Sequence, residues 1–204
     1  MQARRTYREG GDKMTSDKFI LFGEDKKTLL SVKNALTANG HIFVGYSSDT
    51  GSILRHIRGS FPGFVVIEAA AGRFAEIRPI LEIVDEELLT ACVLILDIRN
   101  DEILGFVRNS RVITYLSRPL FDEALLQIVD LTLMNYKRIL EYEQRVKKLN
   151  DTLESRKAVE KAKWILVEKE GYTESEAYEA IKKKSRNNRI TMKEIAEAII
   201  LTRG

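Results

Sequence analysis

The sequence predicts an α/β chain in which a doubly wound five-stranded parallel sheet is followed by one long helix and a small bundle of helices. Three observations predict it. Five short apolar runs alternate with helical patterns up to residue 120, neither glycine nor proline interrupts residues 120–170, and two capping boxes follow Gly171. With 204 residues, 44% hydrophobic and 31% charged, the chain can bury one good core and a small second one, and it lacks the composition of a disordered chain.

The runs are Phe19-Ile20-Leu21-Phe22, Ile42-Phe43-Val44, Phe64-Val65-Val66-Ile67, Val93-Leu94-Ile95-Leu96 and Val112-Ile113-Thr114-Tyr115-Leu116. Continuous apolar strands separated by helices belong to a parallel sheet covered on both faces, whose chemistry lies at the carboxyl ends of the strands. Between them, residues 27–39 read as a helix closed by Gly40, and residues 50–58 as one closed by Gly59. Cys92 is the single cysteine and sits within an apolar run, so it reads as a small buried hydrophobe in a reducing compartment.

After Pro119 the pattern reads as one helix up to Gly171, its start packing on the sheet through Leu125, Ile128 and Val129. Farther on, Ile139, Tyr142, Val146, Leu149 and Leu153 follow the alternating spacings of three and four that mark a dimerising coiled coil, the alternative being a helix packed within one chain. Thr173-Glu174-Ser175-Glu176 and Thr191-Met192-Lys193-Glu194 are capping boxes that start two further helices. Ala162, Ile165, Leu166, Ala177, Tyr178, Ile181, Ile195, Ala196 and Ile199 supply their apolar faces. The expected divisions are a tail over residues 1–16, the α/β domain over 17–135, a linker helix over 136–157 and the helical domain over 158–204.

Lys and Arg outnumber Asp and Glu by two over residues 1–16, fall three short over 17–154 and lead by four over 155–204. A mildly acidic body with a basic end suits a nucleic-acid partner, because cationic side chains replace counterions along phosphates; solvated helix faces explain the same excess. No run reaches the roughly 18 apolar residues of a membrane span, and the start lacks the apolar core of a secretory signal, so a cytoplasmic protein without a membrane partner is expected.

Residues 18–136 resemble the receiver domain of two-component response regulators, a flavodoxin-like fold, at all five strand ends. That resemblance places an acidic pair at Glu24 and Asp25, the phosphoacceptor position at Glu68, the hydroxyl position at Asp97 and the lysine position at Arg118 in Ser117-Arg118-Pro119, with Pro119 cis. This chain departs from the receiver pattern at three of these places. Glu in place of Asp carries the carboxylate about 1.5 Å farther, and in-line transfer tolerates little misplacement. Asp97 adds negative charge where a phosphoryl oxygen would accept a hydrogen bond. Arg118 can bind Glu68 or Asp97 in a bidentate manner, giving a closed ionic network and a receiver that takes up no phosphate. An oxygen-rich Mg²⁺ or Ca²⁺ site, with Mg²⁺ at Glu24 and Asp25, is the less favoured alternative; a different regulatory ligand is a third. No cofactor is expected.

Residues 155–201 resemble the ANTAR domain, an RNA-binding module of antitermination regulators, through Glu160-Lys161-Ala162-Lys163-Trp164-Ile165-Leu166, Glu176-Ala177-Tyr178, the basic run to Lys184-Ser185-Arg186, and Ile195-Ala196-Glu197-Ala198-Ile199-Ile200. Trp164 departs from the glycine usual there. The resemblance implies RNA hairpins in leader transcripts as partners, with Lys161, Lys163, Tyr178, Lys182, Lys183, Ser185, Arg186 and Arg189 as candidate contacts. Lys161 and Lys163 lie on one helix, and Lys182, Lys183, Lys184, Arg186 and Arg189 at the end of the next, so antiparallel packing could join them. Tyr178 could stack on an unpaired base or pack in the core, and Trp164 has the same two readings.

The leading expectation is a homodimeric RNA-binding antiterminator, open to capture by a sensor or sequestering protein. A DNA-binding regulator built on a helix-turn-helix is the alternative, as is an adaptor on a pseudo-receiver. An enzyme is not expected: His41 and His56 have no catalytic companions in sequence, and no phosphate-cradling glycine loop is present.

Overall fold

The computed structural model describes residues 18–69, 73–97 and 101–203; the tail expected over residues 1–16 lies outside them. The first compact unit ends at Leu140 and the second begins at Glu141. Among the described residues the chain forms five strands and seven helices.

Strands β1 (Lys18–Phe22), β2 (Ile42–Ser47), β3 (Phe64–Ala69), β4 (Ala91–Leu96) and β5 (Ile113–Ser117) form one parallel sheet ordered β2-β1-β3-β4-β5. Every residue of β3 and β4 is buried, as a strand with covered faces on both sides requires. Around the sheet lie α1 (Lys26–Ala38), α2 (Thr50–Ser60), α3 (Phe74–Glu86), α4 (Asp101–Asn109) and the start of α5 (Asp122–Glu170). Ile20, Phe22, Val65, Ile67, Cys92 and Leu94 face one core with α2, α3 and Ile103 of α4. Phe19, Leu21, Phe64, Val66, Val93 and Ile95 face the other with α1, Leu125 and Val129. Alternate strand residues thus supply opposite faces. Phe19 and Phe64 stack at 5.4 Å, and truncating such a buried ring costs about 3–5 kcal/mol.

Order reversal places the β1 and β3 ends side by side at the switch point of the sheet, where an open α/β fold gathers its functional groups. One boundary differs from expectation. Helix α2 runs through Gly59 to Ser60, and Phe61 caps it in the left-handed region at φ 48°. An internal helical glycine costs only about 1 kcal/mol, which burial of Ile53 and Ile57 offsets. Cys92 is fully buried, and desolvation raises its thiol well above the usual range.

Helix α5 is fastened to the first unit by Thr132, whose hydroxyl lies 2.6 Å from that of Thr114, and by Tyr136, whose hydroxyl donates to the Leu88 carbonyl at 2.8 Å. Ile139 packs against the first core rather than standing free for a seam. Tyr142, Val146, Leu149 and Leu153 are exposed.

In the second unit, α5 ends at Gly171, whose φ of 72° suits glycine. Helices α6 (Glu174–Asn188) and α7 (Met192–Arg203) follow. Both capping boxes form: Glu176 N donates to Thr173 Oγ1 while Thr173 N donates to Glu176 Oε2, and Thr191 and Glu194 repeat the exchange. Val159, Ala162, Ile165, Leu166, Ala177, Ile181, Ile195, Ala196 and Ile199 make a separate core. Tyr178 lies outside it, 42% exposed.

Candidate functional site

In the first unit, the carboxyl ends of β1, β3, β4 and β5 bring together Asp25, Glu68, Asp97 and Arg118. Glu68 is the buried member, with 3% of its side chain exposed. The space beside β1 that admits it exists because residue 23 is glycine. Gly23 has φ 153°, and an added Cβ there would stand 2.7 Å from both Cβ and Oε2 of Glu68. Tyr46 Oη donates to the Gly23 carbonyl at 3.0 Å and steadies that turn.

Both Glu68 oxygens are engaged. Oε2 accepts from the backbone N–H of Glu24 at 3.1 Å and of Asp25 at 3.4 Å, while Arg118 Nη2 donates to Oε1 at 3.4 Å. Arg118 Nη1 donates to Asp25 Oδ2 at 3.1 Å. Its Nε lies 2.5 Å from Asp97 Oδ1, an ion pair in which the N–H is not directed well enough for a hydrogen bond. One guanidinium therefore meets three carboxylates, as the planar fork of arginine permits and a lysine ammonium would not. Arg118–Pro119 is cis.

Asp25 caps α1, accepting from Lys27 N at 3.0 Å and Thr28 Oγ1 at 2.6 Å. The Thr28 hydroxyl and then the Arg118 guanidinium hold its carboxyl down from 3.8 to about 2. Glu24 turns away from this cluster: its Oε1 is 2.7 Å from Arg73 Nη1, and Nη2 of the same guanidinium pairs with Glu76. Hydrogen bonding by Glu76 and then the charge of Glu24 raise the Arg73 pKa against desolvation. Sequence reasoning missed Arg73, which lies just before α3 and shares no motif with Glu24.

A divalent ion of the kind receivers hold needs converging oxygens. These residues do not fit one. Arg118 stands among Asp25, Glu68 and Asp97, Glu24 is drawn to Arg73, and no trio of Asp, Glu, His or Cys among the described residues is placed to hold a metal.

The second unit carries the cationic residues. Lys161, Lys183, Lys184, Arg186 and Arg189 are exposed, and none has a carboxylate within ion-pair distance among the described residues. Three expected contacts are placed differently. Lys163 is only 13% exposed along its side chain and pairs with Glu160 at 3.0 Å, the bond that chiefly raises its pKa. Lys182 pairs with Glu179 at 2.8 Å. Ser185 Oγ donates to the Ile190 carbonyl at 2.6 Å, closing the turn between α6 and α7, so that hydroxyl is not a free donor. Arg189 caps α6 at φ 53°. Trp164 is 54% exposed, and Tyr178 lies under Lys182 Nζ, 5.8 Å from its ring centroid.

Residues 147–200 match the family model described as the ANTAR domain. The chain thus joins a unit with the receiver fold to an ANTAR domain. Among characterised proteins it is similar to the transcriptional regulatory protein PdtaR of Mycobacterium tuberculosis, 27% identical over 186 residues that cover 91% of this chain and 90% of that one. The receiver domain protein (CheY-like) of Methanospirillum hungatei shares the fold at TM-score 0.51 and 15% identity, covering 60% of this chain and 97% of that one. NtrX of Brucella abortus does so at TM-score 0.53 and 17% identity, covering 65% of this chain and 30% of that one. Among the described residues no helix is long and apolar enough to cross a membrane.

Proposed function

We propose that this protein is a homodimeric, RNA-binding transcription antitermination regulator whose receiver takes up no phosphate. The observation that carries the reading is the end of α6, where Lys183, Lys184, Arg186 and Arg189 stand exposed on an ANTAR domain without carboxylate partners among the described residues. Such unpaired cations displace counterions from a folded RNA, and affinity then falls steeply with salt. Lys161 is a further exposed cation of the same unit, on α5. Regulation of transcription is the role named for the similar mycobacterial protein.

The receiver is read as locked. Glu68 has one oxygen bonded to two backbone N–H groups and the other facing Arg118, so no carboxylate oxygen stands free to attack phosphorus. No catalytic step is assigned to it, and its use is contact with another protein, such as a sensor that sequesters the regulator. The exposed stripe Tyr142, Val146, Leu149 and Leu153 is read as the seam of a parallel dimer. Two joined ANTAR units bind adjacent hairpins with raised effective concentration. The expected compartment is the cytoplasm.

The test is competition for the full-length protein between labelled stem-loop RNA and duplex DNA at several salt concentrations. RNA is expected to win, and joint Lys184→Ala, Arg186→Ala and Arg189→Ala changes should lower the affinity and flatten its salt dependence. Preference for duplex DNA would support a helix-turn-helix regulator instead.

A further inference from the structure

We propose that the groove between Tyr172 and α6 seats an unpaired nucleotide from the loop of the bound RNA, its base against the Tyr172 ring and its phosphates on Lys183 and Arg186. This rests on the RNA-binding reading above and adds to it a base-contacting site.

The groove is open, about 570 Å³, and is lined by Tyr172, Glu176, Glu179, Lys183, Arg186 and Asn187 among others. That size falls within the roughly 300–1,000 Å³ of small-ligand sites. At about 100° per residue, α6 has three faces. Ala177 and Ile181 point into the core; Tyr178, Lys182, Ser185 and Arg189 share a second face; the groove residues make the third. The second face is largely spent, with Lys182 paired to Glu179 and lying over Tyr178, and with Ser185 closing a turn.

The third face is not. Its two carboxylates are engaged elsewhere: Glu176 accepts from Thr173 N and Oγ1, bonds that lower its pKa, and Glu179 pairs with Lys182. Lys183 and Arg186 have no carboxylate partner, and the Asn187 side chain has no hydrogen bond, among the described residues. Tyr172 is 38% exposed, directly after Gly171, and no ring or cation among the described residues covers it. A bare aromatic face beside two cations and a free amide is the chemistry that holds a splayed nucleotide: stacking for the base, charge for the phosphates, an amide for the base edge. The sequence offered Tyr178 for either stacking or core packing, and its ring already has Lys182 over it.

The experiment uses the full-length protein and stem-loop RNAs with one fixed stem and randomised loops of four to eight nucleotides. The same stem closed by a polyether linker is the loopless control. Tyr172→Ala should weaken binding to the looped RNAs about 5- to 150-fold and leave the linker-closed stem unchanged. Tyr172→Phe should bind like the parent. With the unaltered protein, 2-aminopurine placed along the selected loop should be quenched at one position, a readout that needs no variant to fold. Unchanged affinity of Tyr172→Ala, an equal loss on the linker-closed stem, or no quenched position would overturn the site while leaving RNA binding intact. Failure of the unaltered protein to bind any of these RNAs at low salt would overturn the RNA reading itself.

Discussion

Replacing Arg118 by Met removes the cation paired with Glu68 and tests whether the strand-end cluster is a lock. At 3.4 Å and an effective dielectric constant near 20, the Arg118–Glu68 attraction is about 5 kcal/mol before desolvation. Breaking a fully buried pair costs about 3–5 kcal/mol. Here Arg118 is 29% exposed and Glu68 keeps its two backbone N–H donors, so a loss of about 2 kcal/mol is expected. Much of that loss is the stranded Glu68 charge, so Glu68→Gln placed in the Arg118→Met background should recover about half. Urea unfolding followed by circular dichroism gives both values. Asp25 supplies a second readout. Its lowered carboxyl contributes stability above the ordinary value of 3.8 that is lost as pH falls through about 2. Without Arg118 its pKa, followed by carboxyl-carbon NMR, should rise yet stay below 3.8, because Thr28 remains the larger cause. A variant as stable as the parent, with Asp25 unmoved, would refute the lock.

Gly23→Ala should cost about 2–3 kcal/mol, since its Cβ would meet Glu68 at 2.7 Å in a backbone region that disfavours side chains; the urea midpoint measures it. Thr191→Val removes the bond from Glu194 N and should cost about 1 kcal/mol, seen as a lower melting temperature of the helical unit. Thr191 lowers the Glu194 pKa, chiefly through its hydroxyl and then its backbone N–H. This contribution is therefore present above pH 4.5 and fades below it, and the variant's deficit should shrink in acid. Leu149→Glu puts a charge in the exposed stripe and should convert the proposed dimer to monomers in sedimentation, with the far-ultraviolet spectrum kept.

Strands were legible because β3 and β4 are buried on both faces and so carry unbroken apolar runs, and α5 because nothing in its sequence breaks a helix. Glu68, Asp97 and Arg118 were legible as positions at strand ends through the receiver resemblance, while their charges left a closed network, a metal site and another ligand open; the ion pairs of Arg118 match the first. Arg73 was not, since its pairing with Glu24 joins residues 49 apart through the path of the chain. Ile139 satisfied the heptad rhythm, yet the same helix first packs on the sheet, and burial there prevails over periodicity. The second unit shows a different failure. Composition counts cations without showing which are spent; Lys163 and Lys182 each have a glutamate three residues earlier, a helical spacing that signals pairing. Ser185 takes its part from a turn whose geometry no local pattern announced.

Recovery of RNA crosslinked to this protein in its own cells tests the central claim most directly, with the Lys184, Arg186 and Arg189 triple alanine variant as the reference. Enrichment of stem-loops lying just upstream of terminators, lost in that variant, is the expected result. Equal recovery by both proteins, or enrichment of duplex DNA alone, would contradict it.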